Sequence, residues 1–483
     1  MRWCRHPWVS SLALATGVLT FLFISGHLSA QTAPLSGGTT PSDVSISPYE
    51  ASPRLFAGPK GEALRLWYRG IPPGIGGILL GVASSNDAWQ TLVEIVPQEK
   101  ETTAGTGDLA VGPAGELAVA YQWWRRVPSS KQIRVARSTD GGKTWIQPPT
   151  PLDTSGKAFA PKVAWGRGQN LVVVWSDEQR STNVGNRIWD IYARSSPDGG
   201  TTWGPERLLS RFPQHSPSDA YIRPELVSDG EDNVWAVWVG IRSGRSRLFL
   251  SRSTDGGRNW ADPLELSGES KSVFGQRVVR AGQRLLVVWQ DKRTGRDRLF
   301  STSSSDGGVT WTSPTQVDHL SADFATDAFS PSVVMTPSGE ALVAWQDGRN
   351  GRDDIFLGRS VDGGRTWEDK DTRLDMDEPG VGMSRFPSMT RAADGRIAVA
   401  WEDDRAGYEG IYLRVRGPGG QGAWGPEIMV EPPGPQRTAA KVPGVLWGAD
   451  GSLYVTWEVW NYANGPMAVT RRIDGRKLAL DKK

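Results

Sequence analysis

The sequence predicts an all-β chain, a single β-propeller of four-stranded antiparallel blades. Three observations predict it. The octet SVDGGRTW at 360–367 recurs as STDGGKTW at 138–145, SPDGGTTW at 196–203, STDGGRNW at 253–260 and SSDGGVTW at 304–311. Worn copies end at Trp89 and Trp424, so the closing tryptophans fall at a period of about 56 residues, the mark of a repeat architecture. A second aromatic column, Trp67, Tyr121, Trp175, Trp238, Trp289, Trp345, Trp401 and Trp457, has Pro53, Gly107, Pro161, Pro224, Gly275, Pro331, Pro387 and Pro443 ahead of it at a constant offset. This column counts eight units, so eight blades are expected, with seven as the alternative.

The chain begins with a segment outside that pattern. Arg2 and Arg5 precede an apolar run from Val9 to Ile24, and LSA ends at Ala30. This is the pattern of a secretory leader cleaved after Ala30, too short and wrongly flanked for a spanning helix. Residues 1–30 are therefore read as a signal peptide, 31–42 as a flexible linker and 43–483 as the propeller. Cys4 is the sole cysteine and lies in the leader, so neither a disulfide nor thiol chemistry is expected in the mature chain. The chain is expected to be secreted or periplasmic.

One unit, 329–375, reads in order as FSPSVVMT (strand), PSG (turn), EALVAWQD (second strand), GRNGRD (loop), DIFLGRS (third strand), the boxed turn and TRLDM (fourth strand). Period-two alternation between Gly-rich turns is the signature of antiparallel sheet, and four strands repeated radially make a propeller. In the last unit PMAVTRRID and RKLALD supply strands three and four, with DVSIS at 43–47 as an alternative closing strand. The boxed turn joins strands three and four. Its Asp-Gly-Gly suits positive φ, its aspartate accepts backbone N–H bonds, and its tryptophan packs between sheets. Ligand spacing for calcium is absent from it.

Basic and acidic residues number 55 and 53. That balance excludes nucleic acid or an anionic membrane as the main partner. No membrane insertion, metal or cofactor is expected, and the chain is read as a monomer whose partner is a glycan or an extracytoplasmic protein.

The repeated S-x-D-G-G-x-T-W resembles the Asp-box, or bacterial neuraminidase repeat, of the sialidase superfamily. The resemblance implies a propeller, and three arginines holding a substrate carboxylate. Within SPRLFAGPKGEALRLW, Arg54 matches the first arginine, and Arg223 and Arg385 are candidates for the others. The family's acid/base aspartate has no counterpart, because the stretch from Arg54 to Asn86 contains none. The resemblance thus leaves two readings: a binding propeller without hydrolysis, and an exo-α-sialidase-type glycoside hydrolase. A periplasmic assembly factor is a further alternative.

Two groups of positions are candidates for the site. The residue after the Pro/Gly column reads Arg54, Asp108, Lys162, Glu225, Gln276, Ser332, Ser388 and Gly444. It varies where its neighbour repeats, and forms a polar ring at the channel mouth. After the second-strand aromatic, blades five to seven carry WQDKRTG, WQDGRNG and WEDDRAG, whose repeated Asp–Arg pairs read as structural. Units eight, one and two abandon that loop for WEVWNYANG, WYRGIPPG and YQWWRRVP. They place Trp460, Tyr462, Tyr68, Trp123 and Trp124 at one rim, with Arg54, Arg69 and Arg125 in the same sector. Aromatic faces stack on sugar rings while polar neighbours fix orientation.

Overall fold

A computed structural model describes residues 27–28 and, with short gaps, 50–478. Eight antiparallel blades surround a channel. Their inner strands are Glu50–Ala57, Thr102–Val111, Ala158–Trp165, Ala220–Ser228, Val273–Ala281, Ala328–Met335, Arg385–Arg391 and Ala439–Trp447. Blade 6 shows the common plan, with Ala341–Asp347, Asp354–Ser360 and Thr372–Arg373 following its inner strand outward. One parallel pair, Gly76 with Thr103, ties blades 1 and 2 together, and the outer edge of blade 2 is a single bridge between Arg137 and Ile146. Among the described residues the helical content is one turn, Pro418–Gly420.

In blade 8 the third strand is Gly465–Ile473. RKLALD, apart from Leu478, and DVSIS lie outside the described residues. His27–Leu28, within the expected leader, pair with Lys441 and Ala440 on the channel side of the inner strand. The ring closes without them. Arg65 Nη1 donates to Thr470 Oγ1 at 3.2 Å and Ala449 N to Gly61 O at 2.8 Å, while Trp67 packs on Ala468.

The core lies between blades rather than in one centre. Trp175, Trp238, Trp289, Trp345, Trp401 and Trp457 are fully buried. In blades 3 to 7 each stacks on the third-strand aromatic, Tyr192, Phe249, Phe300, Phe356 or Tyr412, with centroids 6.3–6.4 Å apart. Burying such a ring stabilises the fold by several kcal/mol, on the order of 3–5 as judged by truncation.

The boxed turns behave as expected. Gly141 and Gly142 take φ of 73° and 92°, where a Cβ costs about 1 kcal/mol or more. Ser138 Oγ accepts from Gly142 N at 2.8 Å, and Asp140 accepts from Thr144 N and Oγ1 at 2.9 and 2.7 Å. Those bonds hold the Asp140 carboxyl well below the usual range. Trp260 packs in the seam between blades 3 and 4, its indole donating to Gly257 O at 3.0 Å. The boxes meet the turns between strands one and two, as in Gly256 N to Asp232 O, 2.8 Å. The loops between strands two and three meet the inner-strand entrances at the opposite end, as in Lys292 N to Ser272 O, 2.9 Å.

Candidate functional site

Every inner strand breaks register near the Pro/Gly column, most between the residues that flank a two-residue bulge. The first bulge residue has positive φ in six blades: Ala160, Arg223, Gly275, Ser330, Phe386 and Val442, at 45–62°. Non-glycine residues there cost on the order of 1 kcal/mol or more each, so neighbouring side chains must hold them. Gln290 Oε1 accepts from Ser330 N at 3.1 Å and Gln346 Oε1 from Phe386 N at 2.9 Å, each reaching into the next blade. The signal was in the sequence as the Gln after Trp289 and Trp345, and the sequence reading missed it.

The register also corrects the polar ring. Blade 5 pairs Arg277, not Gln276, with the residue before its tryptophan, as Glu225 pairs with Val237 in blade 4. The chain between bulge and tryptophan is one residue shorter there, in the turn and not in the inner strand, which a constant offset concealed. Gln276 is buried and bonds Arg223 O. The ring therefore reads Arg54, Asp108, Lys162, Glu225, Arg277, Ser332, Ser388, Gly444. Its charged part alternates in sign and pairs: Arg54 Nη1 to Asp108 Oδ1 at 3.0 Å, Lys162 Nζ to Glu225 Oε2 at 2.7 Å. Asp108 also accepts from Val163 N at 3.2 Å.

In blades 5 to 7 the W-x-D-x-R loop is a closed unit. Trp289 and Trp345 donate to Asp291 Oδ2 and Asp347 Oδ2 at 2.9 and 2.8 Å. The same aspartates, and Asp403, accept the backbone N–H of Arg293, Arg349 and Arg405 at 2.7–3.1 Å. Each arginine pairs with its aspartate and lies over the third-strand ring at 3.8–4.4 Å. Buried carboxylates are tolerable only with such partners. Arg349 is shared with Asp371 at 2.8 Å, which His319 Nδ1 meets at 2.7 Å.

Buried acids in blades 3, 5 and 7 are displaced upward. Burial pushes Glu402 up to about 8, opposed by Arg385 at 3.3 Å, and Asp177 and Asp318 up to about 6. Asp354, Asp375 and Asp377 form an acidic triad whose oxygens lie within 4.8 Å of one another. Arg373 Nη2 already meets Asp354 and Asp377 at 2.9 and 2.6 Å and also pairs with Asp375, so the guanidinium answers the charge that a cation would.

The aromatic rim is built differently. Trp123 and Trp124 are successive residues of Leu117–Arg125, so they point to opposite faces of blade 2. Trp123 is half-buried towards blade 1, with the Arg134 guanidinium 4.2 Å and Arg125 5.9 Å from its ring centre. Trp124 is half-buried, and its indole N–H has no partner among the described residues. Arg125 is exposed. Tyr68 and Arg69 pair with Ala51 and Glu50, and Trp460 with Ala439. Tyr462 lies outside the described residues. Arg385 is engaged with Glu402 in blade 7, and Arg223 stands at the strained bulge of blade 4.

These features define a sialidase-type Asp-box propeller with a polar channel mouth. Residues 78–324, just over half the chain, match the BNR repeat-like domain, and the chain belongs to that family. It is 22% identical to a xyloglucanase of Acetivibrio thermocellus over 59% of this chain and 34% of that enzyme. It is 26% identical to an exo-alpha-sialidase of Aspergillus fumigatus over 47% of this chain and 49% of that one. The chain thus spans half or less of the length of these relatives. A solved Penicillium chrysogenum alpha-L-arabinanase covers 78% of this chain and 94% of its own, at 14% identity and a TM-score of 0.42.

Proposed function

We propose that this chain is an exported glycan-binding propeller, its leader removed after Ala30, with the ligand lying across the channel mouth and the hairpins of blades 8, 1 and 2, and that it binds without hydrolysis. Its curated relatives, named as a xyloglucanase and an exo-alpha-sialidase, support a glycan as the ligand. One observation carries the absence of hydrolysis. Two described carboxyls are held near 8, the range a general acid needs, and both are sealed: Glu402 is 1% exposed and paired with Arg385, and Asp375 is 4% exposed and paired with Arg373. A general acid must touch the glycosidic oxygen, and a sealed carboxyl does not. The mouth carboxylates Asp108 and Glu225 are likewise committed to Arg54 and Lys162.

Incubating the purified protein with sialosides and xyloglucan oligosaccharides, with product chromatography and a glycan array in parallel, tests this. Array binding without product is expected. Turnover abolished by Arg54→Ala overturns it in favour of the sialidase-type hydrolase.

A further inference from the structure

The hairpin of blade 2 differs from the rest of the surface in its charge. In blades 5 to 7 many arginines sit on carboxylates: Arg293, Arg349, Arg373, Arg405 and Arg416 are all ion-paired. From Leu117 to Thr139 the chain carries Arg125, Arg126, Lys131, Arg134 and Arg137 and no acid. Register places these cations around both tryptophans. Trp123, turned towards blade 1, has the Arg134 and Arg125 guanidiniums near its ring, and Trp124 stands opposite Lys131 on the other face. Lys131 in turn forms a parallel bridge with Lys157 at the entrance of blade 3, its N–H bonding Gly156 O at 2.7 Å. Like charges on adjacent strands repel. None of Arg125, Lys131, Arg134 and Lys157 meets a carboxylate among the described residues; Arg134 is held only by Gln132 Oε1, at 3.0 and 3.3 Å.

We infer that this hairpin is built for a repeating anionic polysaccharide, one bearing carboxylate or sulfate groups along its chain. The inference rests on the glycan-binding reading above. The Trp124 indole takes the apolar face of a sugar ring, while cations at successive positions on both sides of the hairpin take the acidic groups. Arginine does so bidentately and lysine as a point charge. A polyanion also relieves the Lys131–Lys157 repulsion, so binding and local stability rise together. The flanking pairs Arg54–Asp108 and Lys162–Glu225 are self-neutralised, so they do not compete for the acidic groups of the ligand.

Affinity electrophoresis of the full chain in gels containing polygalacturonate, heparin or neutral xyloglucan, with DNA as a polyanion control, tests the inference. Wild type is expected to be retarded by polygalacturonate or heparin, the more effective one naming the acidic group. Lys131→Gln with Lys157→Gln is expected to weaken that retardation at least tenfold, with an unchanged or raised melting temperature, and the double Lys→Arg variant to restore it. Retardation by neutral xyloglucan alone overturns the inference and leaves the glycan-binding reading standing. No retardation by any glycan removes both. Equal retardation by DNA, or full retardation of the Lys→Gln variant, overturns the hairpin assignment.

Discussion

Blades 5 to 7 and blades 8, 1 and 2 share one plan and end it differently at the channel mouth. In blades 5 to 7 the second strands are Arg284–Asp291, Ala341–Asp347 and Ile397–Asp403. Each stops at the aspartate two residues past its tryptophan. That carboxylate takes the N–H two residues on and an arginine, and in blades 5 and 6 the indole as well, so the chain must turn. Blades 8, 1 and 2 have Val459, Arg69 and Trp123 at the same place. With no carboxylate to end the ladder, their second strands run to nine residues, Leu453–Asn461, Ala63–Ile71 and Leu117–Arg125. One side-chain position thus decides between a closed, ion-paired rim and a projecting hairpin. The closed sector spends its charges on itself, whereas in the blade 2 hairpin Arg125 is exposed and Lys131 meets no carboxylate among the described residues.

The sharpest way to break this contrast is to remove a carboxylate from the closed sector. Asp347→Ala orphans the Trp345 indole, the Arg349 N–H and its guanidinium at once. A loss of about 3–5 kcal/mol is expected, as for a broken buried pair, read as a fall in denaturation midpoint. Retained stability within 1 kcal/mol would show that the loop is not held this way. Trp260→Ala, at the far end of the molecule, should cost about 3–5 kcal/mol while ligand affinity stays unchanged, because the boxes lie away from the mouth. Loss of affinity at wild-type stability would place the site on the wrong end.

Much of this architecture was legible in the sequence because it repeats. The boxes, the tryptophan column and the third strand of blade 6, read as DIFLGRS, all emerge where expected. What stayed hidden depends on two neighbouring blades at once. Gln290 and Gln346 serve the bulge of the following blade, a contact that no single repeat displays. The substitution of Arg277 for Gln276 in the ring follows from a one-residue shortening that only strand register reveals. Trp123 and Trp124 stand at one rim in the sequence reading, and alternation along the strand adds that they point to opposite faces of blade 2 there.

The contrast also has a pH signature. Glu402 titrates near 8 in the folded chain against an ordinary 4.5. Between those values the unfolded chain has released a proton that the folded chain holds, so this carboxyl's contribution falls as pH rises from about 4 to about 8. Asp177 and Asp318, near 6, act in the same sense over a narrower window. The box aspartates oppose it, since Asp198, lowered to about 2 despite burial by its bonds from Thr202, contributes above pH 4 and loses that as pH falls towards 2. Melting temperature should therefore peak in mild acid and decline towards pH 8, and Glu402→Gln should flatten the decline. A wild-type profile flat from pH 5 to 8 contradicts this.

The smallest effect is expected at the half-exposed Arg54–Asp108 pair, where Asp108→Asn should cost no more than about 1 kcal/mol. A larger loss would mean that the channel ring, like the closed sector, is structural throughout.

The central claim is that ligand sits on the projecting sector. It is tested most directly by titrating xyloglucan oligosaccharide and polygalacturonate calorimetrically into wild type, Trp124→Ala/Trp460→Ala and Asp255→Ala. The account predicts that the double tryptophan variant loses affinity at least tenfold with its melting temperature retained, and that Asp255→Ala melts lower with affinity intact. Undiminished affinity in the double variant, or affinity lost with the box aspartate, would contradict it.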